Sequence, residues 1–322
     1  MKIPKVSILM PVFNAGKFLK KSIESILNQT FTDFEFLIFN DGSTDESAEV
    51  ISSFDDERIV FVNKEKNSGY VKHLIEGVKI AKGEYIARID ADDISLPTRL
   101  EKQVRFLDKR KNIAVVGSYA IHIDSNGNLL CYRKLPVNSK SNLLYIIAGK
   151  NPLIHPGVMF RKKIVDRIGC YREEFMPSED IDLWLRLYQN GYASENISEY
   201  LTKVRIHKMQ ISNTDNTRQS KKHILAFSNF YNSVTKKNID NIDIEQYFNV
   251  LVWRTEKVKI NNFFKILIIM LELYKNLIPP NKNRFNIFSK FHEIKIFQIF
   301  GLIYLLSRSN IHSIIISKIL KR

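Results

Sequence analysis

The sequence predicts an α/β protein in which helices flank a mainly parallel β-sheet, followed by an α-helical C-terminal extension. Strand-like apolar runs alternate with amphipathic helical stretches over the first 120 residues, as they do in parallel sheets. Hydrophobic residues make up 44% of the chain and aromatic residues 11%, which is enough for a packed core. At 322 residues the chain exceeds the usual length of a single domain, so we expect one main domain with an appendage.

The elements of the predicted sheet are short apolar runs separated by helical patterns. Strands are predicted at Val6–Met10, Phe34–Phe39, Ile59–Asn63 and Tyr85–Asp90. Helices are predicted at Lys17–Asn28, at Gly69–Ala81 and from Pro97 onward. Because ligands bind at the carboxyl ends of strands in such sheets, the residues that follow each strand are the candidates for function.

The pattern changes after Ala114. Asn126-Gly127, between Ser118–Asp124 and Leu129–Lys134, is typical of a β-hairpin turn. A helix, a short strand and a second helix are then predicted at Ser139–Ala148, Gly157–Arg161 and Glu179–Asn190. From about Thr214 the pattern is helical throughout. We therefore divide the chain into a main domain of residues 1–212, with halves 1–115 and 116–212, and a C-terminal region of residues 213–322.

The formal net charge of +15 lies mainly in the C-terminal region. Residues 213–322 contain 18 Lys and Arg against 7 Asp and Glu, whereas residues 1–212 contain 31 against 27. A basic region of this kind indicates an anionic membrane surface or a nucleic acid as partner. No zinc-finger, RRM or KH pattern occurs, and the acidic clusters of residues 1–212 would repel phosphate without a metal. We therefore expect no nucleic-acid partner.

The cysteines and the N-terminus favour a cytoplasmic location. Cys131 and Cys170 have no paired spacing, so neither a disulfide framework nor a thiolate metal site is expected. The first apolar run is broken by Pro11 and Asn14 and lacks a small-residue cleavage site. We interpret it as a strand instead of a secretion signal.

Polar residues follow the first two predicted strands, in Pro11-Val12-Phe13-Asn14 and in Asn40-Asp41-Gly42-Ser43-Thr44-Asp45. The Asp41 carboxylate is suited to accept a hydrogen bond from a base N–H or a ribose hydroxyl. Gly42 would allow close approach of the backbone to a flat ring. The structural alternative is that Ser43 and Glu46 form a capping box for the next helix.

An acidic cluster follows the fourth predicted strand, in Arg88-Ile89-Asp90-Ala91-Asp92-Asp93. Three carboxylates within four residues repel one another, so they are costly without a cation. Oxygen ligands suit a hard divalent ion, Mg²⁺ or Mn²⁺, which also binds a diphosphate. The alternative is a solvated acidic turn that caps the next helix. The position of the cluster at the end of a central strand favours the metal site.

The chain resembles glycosyltransferase family 2, the inverting enzymes with the GT-A nucleotide-diphospho-sugar transferase fold. The matching stretches span residues 6–212 in the order PVFNAGKFLKKSIESILNQTFTDFEFLIFNDGSTDES, AKGEYIARIDADDIS, HPGVMFRK, SEDIDLW and VRIHKMQIS. Their order and spacing make the resemblance specific. It implies transfer of a sugar from a nucleotide-diphospho-sugar, with UDP as the commonest donor nucleotide, to a hydroxyl group.

The resemblance implies roles for matched residues of the donor site. Asp41 matches the carboxylate that holds the base of the nucleotide. Asp90 and Asp92 match the DxD pair, in which the first contacts the ribose and the second binds the metal, and Asp93 extends the cluster. His207 stands where a further metal or diphosphate contact is found, with a structural histidine as the alternative. The other residues expected to bind the nucleotide-sugar are Pro11, Phe13, Asn14, Asn67, Arg88 and Ala91. The expected cofactor is Mn²⁺ or Mg²⁺.

Asp180, in Ser178-Glu179-Asp180, matches the catalytic base of the family. Inverting displacement needs a base that takes the proton of the acceptor hydroxyl. The same residues also fit an ordinary helix start, a cap followed by two acids that the helix dipole favours. Glu179 and His155 are expected to support the site or face the acceptor. Trp184 is expected in the core, with stacking on the acceptor as the alternative.

Departures from the family pattern refine the expected reaction. Glu76 occupies a position where Asn is common, and the Q-x-x-R-W motif of the processive members does not occur. We therefore expect transfer of a single sugar. The apolar stretches Phe263–Leu271 and Ile296–Leu306 are shorter than the ~20 residues of a spanning helix. Their flanking cations suit a membrane interface, and a helical bundle packed on the main domain is the alternative.

Together these features predict a glycosyltransferase of cell-surface polysaccharide biosynthesis, peripheral at the inner face of the cell membrane. Its expected acceptor is a glycan or a lipid-linked saccharide. The alternatives are an inactive scaffold of a polysaccharide-synthesis complex, a nucleic-acid-binding protein and a sugar nucleotidyltransferase. The last has a Gly-rich phosphate loop, whereas Pro11–Gly16 contains a single glycine. The sugar, the linkage and the oligomeric state are left open.

Overall fold

In the part of the chain that the structure describes, the fold is built on one nine-stranded sheet flanked by helices. The computed structural model describes residues 3–207, 210 and 216–248, together with 269, 270, 272, 273, 276 and 277. The strands are β1 (Val6–Val12), β2 (Phe34–Asp41), β3 (Ile59–Lys64), β4 (Tyr85–Arg88), β5 (Ile94–Ser95), β6 (Ile113–Ile123), β7 (Leu129–Arg133), β8 (Met159–Arg161) and β9 (Ala193–Arg205). The helices are α1 (Gly16–Leu27), α2 (Ser47–Ser52), α3 (Tyr70–Ile80), α4 (Arg99–Lys109), α5 (Ser139–Ile147), α6 (Lys162–Arg167), α7 (Glu179–Gln189), α8 (Asn216–Thr235) and α9 (Asn241–Phe248).

The strand order is β3-β2-β1-β4-β8-β6-β9-β5, and β7 pairs with β6. Strand β1 runs parallel to β2 and β4, and β2 runs parallel to β3. Strand β8 is antiparallel to both β4 and β6. The predicted α/β class is confirmed, but the sheet is mixed, because β8 reverses the strand direction in its middle.

The parallel part of the sheet is buried on both faces. Every residue of β1 and β2 is buried, as expected for strands that helices cover on each side. Helix α1 packs on this part through Leu19, Ile23 and Ile26, none of which has exposed surface. Burial of each such side chain contributes about 1.5–3 kcal/mol to stability. The polar residues that end β1 and β2 are therefore held by a rigid support.

The predicted elements of residues 1–190 are confirmed, with bounds that differ by a few residues. The Asn126-Gly127 hairpin is among them and joins β6 to β7. Strand β9, which has 13 residues, is absent from the prediction. Its register against β6 shifts at Ser118–Ala120, and its buried residues include Glu195 and Asn196, so it lacks regular alternation. Its end pairs with β5, directly after the acidic cluster.

The described part of the C-terminal region packs on α5 and α7. Gln189 Nε2 donates to Ser233 Oγ at 2.6 Å, and the Tyr247 hydroxyl donates to the Ile147 carbonyl. The predicted boundary at residue 212 stays a prediction. Apart from Ile269 and Met270, the two apolar stretches predicted to lie in a membrane interface are outside the described residues. Within the described ranges, no helix is long and apolar enough to cross a bilayer.

Candidate active site

Hydrogen bonds join the loop after β1 to the loop after β2 at the carboxyl edge of the sheet. Asn14 Oδ1 accepts a hydrogen bond from the Thr44 N–H at 2.8 Å, and the Asn14 N–H donates to Ser43 Oγ at 3.0 Å. The capping-box alternative is wrong. Ser43 accepts a hydrogen bond from Asn14 instead of capping a helix. Glu46 is the N-cap residue of α2, and its side chain makes no hydrogen bond to that helix. Phe13 remains 50% exposed beside this junction.

Asp41 ends β2 and is almost fully buried. Its Oδ1 accepts a hydrogen bond from the Ser68 N–H at 2.7 Å and lies 2.7 Å from His73 Nε2. Its Oδ2 accepts from the Gly69 N–H at 2.9 Å. Burial acts to raise the pKa of Asp41, but the His73 and backbone hydrogen bonds outweigh it and hold the pKa below its ordinary value. Asp41 is therefore an ionised group that fixes the loop entering α3, and its contact with a nucleotide base stays a prediction.

Gly42 lies against that same loop. Its φ is +66°, and a Cβ at this position would lie 2.6 Å from Lys66 C and 2.7 Å from Asn67 N. Only glycine fits both the backbone conformation and the space. The close approach predicted at Gly42 is thus made to the protein's own backbone. Asn67 is exposed at this contact, whereas Pro11 and Ala91 are buried.

The carboxylates of Asp90, Asp92 and Asp93 converge beyond the end of β4. One oxygen from each lies within 4.8 Å of the others. Arg88, the last residue of β4, forms an ion pair with Asp90. Burial and the neighbouring carboxylates raise the pKa of Asp92, and they raise that of Asp93 well above its ordinary value. Ionisation of all three carboxylates is therefore costly without a cation.

The end of β9 returns the chain to this cluster. The Arg205 N–H donates to Asp93 Oδ1 at 2.8 Å, and Arg205 Nε donates to the Asp92 carbonyl at 2.9 Å. His207 Nε2 lies 2.8 Å from Asp92 Oδ2. The structure thus brings His207 to Asp92, although 115 positions separate them in the sequence.

The residues of the cluster fit a hard divalent cation. Asp93 is 1% exposed, and among the described residues no hydrogen-bond donor reaches its Oδ2. A buried oxygen without a partner, beside two more carboxylates, is costly unless a cation binds there. Carboxylate oxygens with one imidazole suit Mn²⁺ or Mg²⁺. Asp92 and His207 can supply ligands, and Asp90 and Asp93 can complete the set.

Asp180 and Glu179 open helix α7. Asp180 is partly exposed, and its Oδ2 accepts a hydrogen bond from Asn151 Nδ2 at 2.8 Å. Its Oδ1 accepts from the Ile181 N–H at 2.7 Å. Glu179 is 3% exposed, and its Oε2 accepts from the Tyr70 hydroxyl at 2.8 Å. Burial raises the pKa of Asp180, and burial together with the Asp180 charge raises that of Glu179.

A polar cavity of about 220 Å³ opens beside Asp180. Its lining residues are Asn151, Ser178, Asp180, Ile181, Gln219, Ser220 and His223. Ser178 makes no side-chain cap bond to α7, and its hydroxyl donates to the Gln219 carbonyl at 3.0 Å. As in the structural alternative, Ser178 is the N-cap residue and acidic residues follow it in the first turn of α7, but the Ser178 side chain does not cap the helix. Helix α8 forms one wall of the cavity.

Arg88 lies close to both acidic groups. It is 4% exposed, and the Asp90 charge outweighs burial and raises its pKa, so it stays charged. Burial raises the pKa values of Asp93 and Asp180, and the Arg88 charge opposes this in both residues. Arg88 thus links the electrostatics of the acidic cluster to those of the start of α7.

His155 and Trp184 lie behind the start of α7. His155 Nε2 is 2.9 Å from the Tyr171 hydroxyl, and its Nδ1 is 3.8 Å from Glu179 Oε1. Burial and the charge of Arg88 lower the pKa of His155 well below its ordinary value, so the ring is neutral. Trp184 has no exposed surface, and its ring lies edge-on to His155 at 6.1 Å. This favours a core position for Trp184 over stacking on an acceptor.

Four residues with contacts in the site are missing from the sequence-based set. His73 lies on the buried face of α3, where a polar residue among apolar ones signals a buried partner. Arg205 lies in the matched stretch VRIHKMQIS, two residues before His207, so its position was a signal. Tyr70 lies three residues after Asn67, a residue expected to bind the nucleotide-sugar, and is itself outside the matched stretches. Asn151 is an isolated loop residue, and no sequence pattern distinguishes it.

The comparison with protein families decides the classification. The model for glycosyl transferase family 2 matches residues 7–169, just over half of the chain. The chain belongs to glycosyltransferase family 2. This glycosyltransferase is 36% identical over 208 residues to the O-antigen biosynthesis glycosyltransferase WbnJ of Escherichia coli. The match covers 63% of the chain and 80% of that relative.

Solved structures share the fold of this glycosyltransferase. The crystal structure of S. aureus TarS 1–349 in complex with UDP-GlcNAc has a TM-score of 0.56 and 17% identity, covering 85% of this chain and 82% of that one. The mannosyltransferase PcManGT from Pyrobaculum calidifontis, in complex with GDP-Man and Mn²⁺, has a TM-score of 0.55 and 13% identity, covering 92% and 81%. The predicted GT-A fold is confirmed.

Proposed function

We propose that this glycosyltransferase moves one sugar, with inversion at the anomeric carbon, from a UDP-sugar to a hydroxyl group of a glycan or lipid-linked saccharide. The observation that carries the proposal is Asp180, which faces a polar cavity and belongs to a different element from the acidic cluster. A single displacement needs this separation, because the base and the group that stabilises the leaving diphosphate act on opposite sides of the sugar.

The donor nucleotide binds, in this proposal, along the edge formed by the ends of β1, β2 and β4. Asp41 and its fixed loop hold the base, the exposed Phe13 and Asn67 line the approach, and Asp90 contacts the ribose. The complexes of TarS with UDP-GlcNAc and of the mannosyltransferase with GDP-Man support a nucleotide-diphospho-sugar donor, because this chain shares their fold. We take UDP as the nucleotide.

Mn²⁺ or Mg²⁺ is the proposed cofactor, held by Asp92 and His207 with support from Asp90 and Asp93. When bound, the ion neutralises charge that develops on the departing nucleoside diphosphate. The unpartnered Asp93 oxygen and the Mn²⁺ named in the mannosyltransferase complex support this assignment. Arg205 orients the cluster, because its backbone and side chain bond to Asp93 and to the Asp92 carbonyl.

Asp180 acts as the general base. As the acceptor oxygen forms its bond to the anomeric carbon, the bond from that carbon to the diphosphate oxygen breaks, and the acceptor proton passes to Asp180. Asn151 and the Ile181 N–H hold the carboxylate in place while part of it stays exposed. Burial raises the pKa of Asp180, which brings its basicity nearer to that needed for proton transfer from a hydroxyl.

The acceptor occupies the cavity beside Asp180. Amide, hydroxyl and imidazole groups line it, and such groups suit the hydroxyls of a sugar. The name of the WbnJ relative supports a role in cell-surface polysaccharide biosynthesis. The net charge of +15 supports a peripheral location on the anionic inner face of the membrane.

The experiment that tests the proposal is a panel of sugar nucleotides offered with simple alkyl glycosides. Nucleotide release is scored with Mn²⁺ and with excess EDTA, and the anomeric configuration of the product is read from its proton coupling. We expect a UDP-sugar to be turned over with Mn²⁺ only and to give a β-linked product from an α-linked donor. Retention of configuration, or full activity in EDTA, contradicts the proposal.

A further inference from the structure

Strand β7 presents an apolar surface that the proposed reaction does not use. All five of its residues are exposed. The exposed fractions of Leu129, Leu130 and Tyr132 are 54%, 53% and 59%. The pairing with β6 is irregular at this point, since Leu129 pairs with Ile123 and Cys131 with His122, which leaves Leu130 as the extra residue of a bulge. Adjacent exposed apolar residues of this size mark a contact surface.

Basic and aromatic residues surround this surface. Arg133 and Lys134 are exposed, and residues 125–142 contain three basic residues and no acidic one. The Tyr132 ring lies 5.1 Å from that of Tyr200, which extends the aromatic surface onto β9. Tyrosines with adjacent cations suit the interface of an anionic membrane. Exposed cations on an edge strand disfavour pairing with another strand.

The turn of the hairpin is bound to the candidate metal site. Arg205 Nη1 donates to the Asp124 carbonyl at 2.9 Å and to the Ser125 carbonyl at 3.3 Å. The same residue binds Asp93 and the Asp92 carbonyl. The turn of the hairpin therefore lies one side chain away from the acidic cluster, and β7 extends from that turn.

We propose that the β6–β7 hairpin docks the protein on an anionic membrane surface. Leu129, Leu130 and Tyr132 enter the interface, and Arg133 and Lys134 contact lipid phosphates. This inference rests on the membrane association in the proposed function and names the surface responsible for it. The docked hairpin holds the acidic cluster beside the membrane, where a lipid-linked acceptor is found.

Cys131 provides a reporter inside the surface, because it is exposed in the middle of β7 and the chain has one other cysteine. In the full-length Cys170→Ser protein, the fluorescence emission of a bimane label on Cys131 should shift to shorter wavelength when vesicles of phosphatidylglycerol and phosphatidylcholine are added. Vesicles of phosphatidylcholine alone should leave it unchanged. The control carries Cys131→Ser, Cys170→Ser and Ser52→Cys, which moves the label to exposed α2. Its spectrum should not respond to either vesicle.

Charge neutralisation tests the basic part of the surface. Arg133→Gln with Lys134→Gln should lower vesicle partitioning roughly 30-fold, from the contribution that each interfacial Lys or Arg makes. The matched control is Arg105→Gln with Lys109→Gln on α4, where both side chains are also exposed. It removes the same charge, and its partitioning should stay within about threefold of the parent.

Three outcomes overturn the proposal. Partitioning of the protein with an unchanged Cys131 label assigns the membrane contact to another part of the chain. A label that shifts with protein concentration, without vesicles, identifies a second copy on β7. If the bimane emission is already blue-shifted in buffer at every protein concentration, another part of the same chain covers β7. None of these measurements needs turnover, so the docking surface and the proposed sugar transfer can fail separately.

Discussion

The Tyr70 hydroxyl donates a 2.8 Å hydrogen bond to Glu179 Oε2, which joins the first residue of α3 to the first residue of α7. Tyr70 directly follows Ser68 and Gly69, whose N–H groups bind Asp41. Burial and the Glu179 charge raise the pKa of Tyr70, so its hydroxyl stays a donor. The loop at the end of β2 and the start of α7 are thus positioned together, and with them the proposed nucleotide and base sites.

Tyr70→Phe should lower kcat up to about tenfold and change the donor KM much less. It keeps the ring and removes one hydrogen bond to Glu179, worth about 0.5–1.5 kcal/mol, because the raised pKa of Glu179, about 8, leaves that group largely protonated at pH 7. Nucleotide release measures both constants. The matched control is Tyr192→Phe, which loses a 3.0 Å bond from Arg167 near the other end of α7. If both variants have the same kcat, Tyr70 is not a positioning residue.

Asp180→Asn should lower kcat by about 10²–10⁴-fold, because a general base contributes that much to proton transfer. Donor affinity, measured by calorimetry, should stay the same, since the amide keeps the shape of the side chain. Glu179→Gln is the control and should cost much less, because Glu179 is buried and bonded to Tyr70. Loss of donor binding in Asp180→Asn would instead assign Asp180 to the nucleotide site.

The pH dependence of kcat/KM should reflect the titration of the Asp180 carboxyl group. Burial raises its pKa, and only the ionised form accepts a proton, so kcat/KM should rise with pH through a value above the ordinary ~3.9. Asn151→Ala removes a hydrogen bond that favours the ionised form, so this limb should move to higher pH. Asn190→Ala, at the far end of α7, should leave the limb in place. If the limb stays at the same pH in Asn151→Ala, the group that titrates is not Asp180.

Asp92→Ala should abolish Mn²⁺-stimulated turnover. Losing only a supporting residue of a metal site typically costs about 10–100-fold in affinity or activity, and loss of a ligand should cost more. Mn²⁺ binding is followed by electron paramagnetic resonance, and turnover by nucleotide release. The exposed Asp55→Ala is the control for removal of one carboxylate. Normal Mn²⁺ binding in Asp92→Ala would remove Asp92 from the metal site.

Asp41→Asn should lower the free energy of unfolding by about 1–3 kcal/mol at pH 7, because an amide NH₂ then faces the N–H groups of the loop. The folded pKa of Asp41 lies below the unfolded value of about 3.9. Its carboxylate therefore stabilises the fold above that unfolded value, and this contribution is lost as the pH falls through the folded pKa.

Urea unfolding at neutral and acid pH measures this difference. The gap between the parent and Asp41→Asn should shrink in acid, while the control Asp55→Asn should stay within about 0.5 kcal/mol of the parent throughout. A gap that does not depend on pH would contradict the ionised state assigned to Asp41.

The sequence predicts the parts of this molecule that local pattern determines. Val6–Met10 is apolar except for Ser7, so both the buried strand and the polar residues after it could be placed. Asp41 and the acidic cluster follow such strands, and the topology rule brings them to one edge. The bond from Tyr70 to Glu179 joins residues 109 positions apart, and β9 reaches the site through shifted register, so neither has a local pattern.

Helix α8 supplies one wall of the cavity beside Asp180, although the family match ends at residue 169 and α8 begins at Asn216. In the proposed mechanism, the acceptor cavity therefore takes one wall from a helix that lies outside the family match and holds none of the proposed donor or metal residues. Mutations in α8 can remodel the acceptor pocket and leave Asp41 and the acidic cluster intact. If Asp180 is the base, substitutions in this wall are a means of changing which glycan fits beside it while the base stays in place.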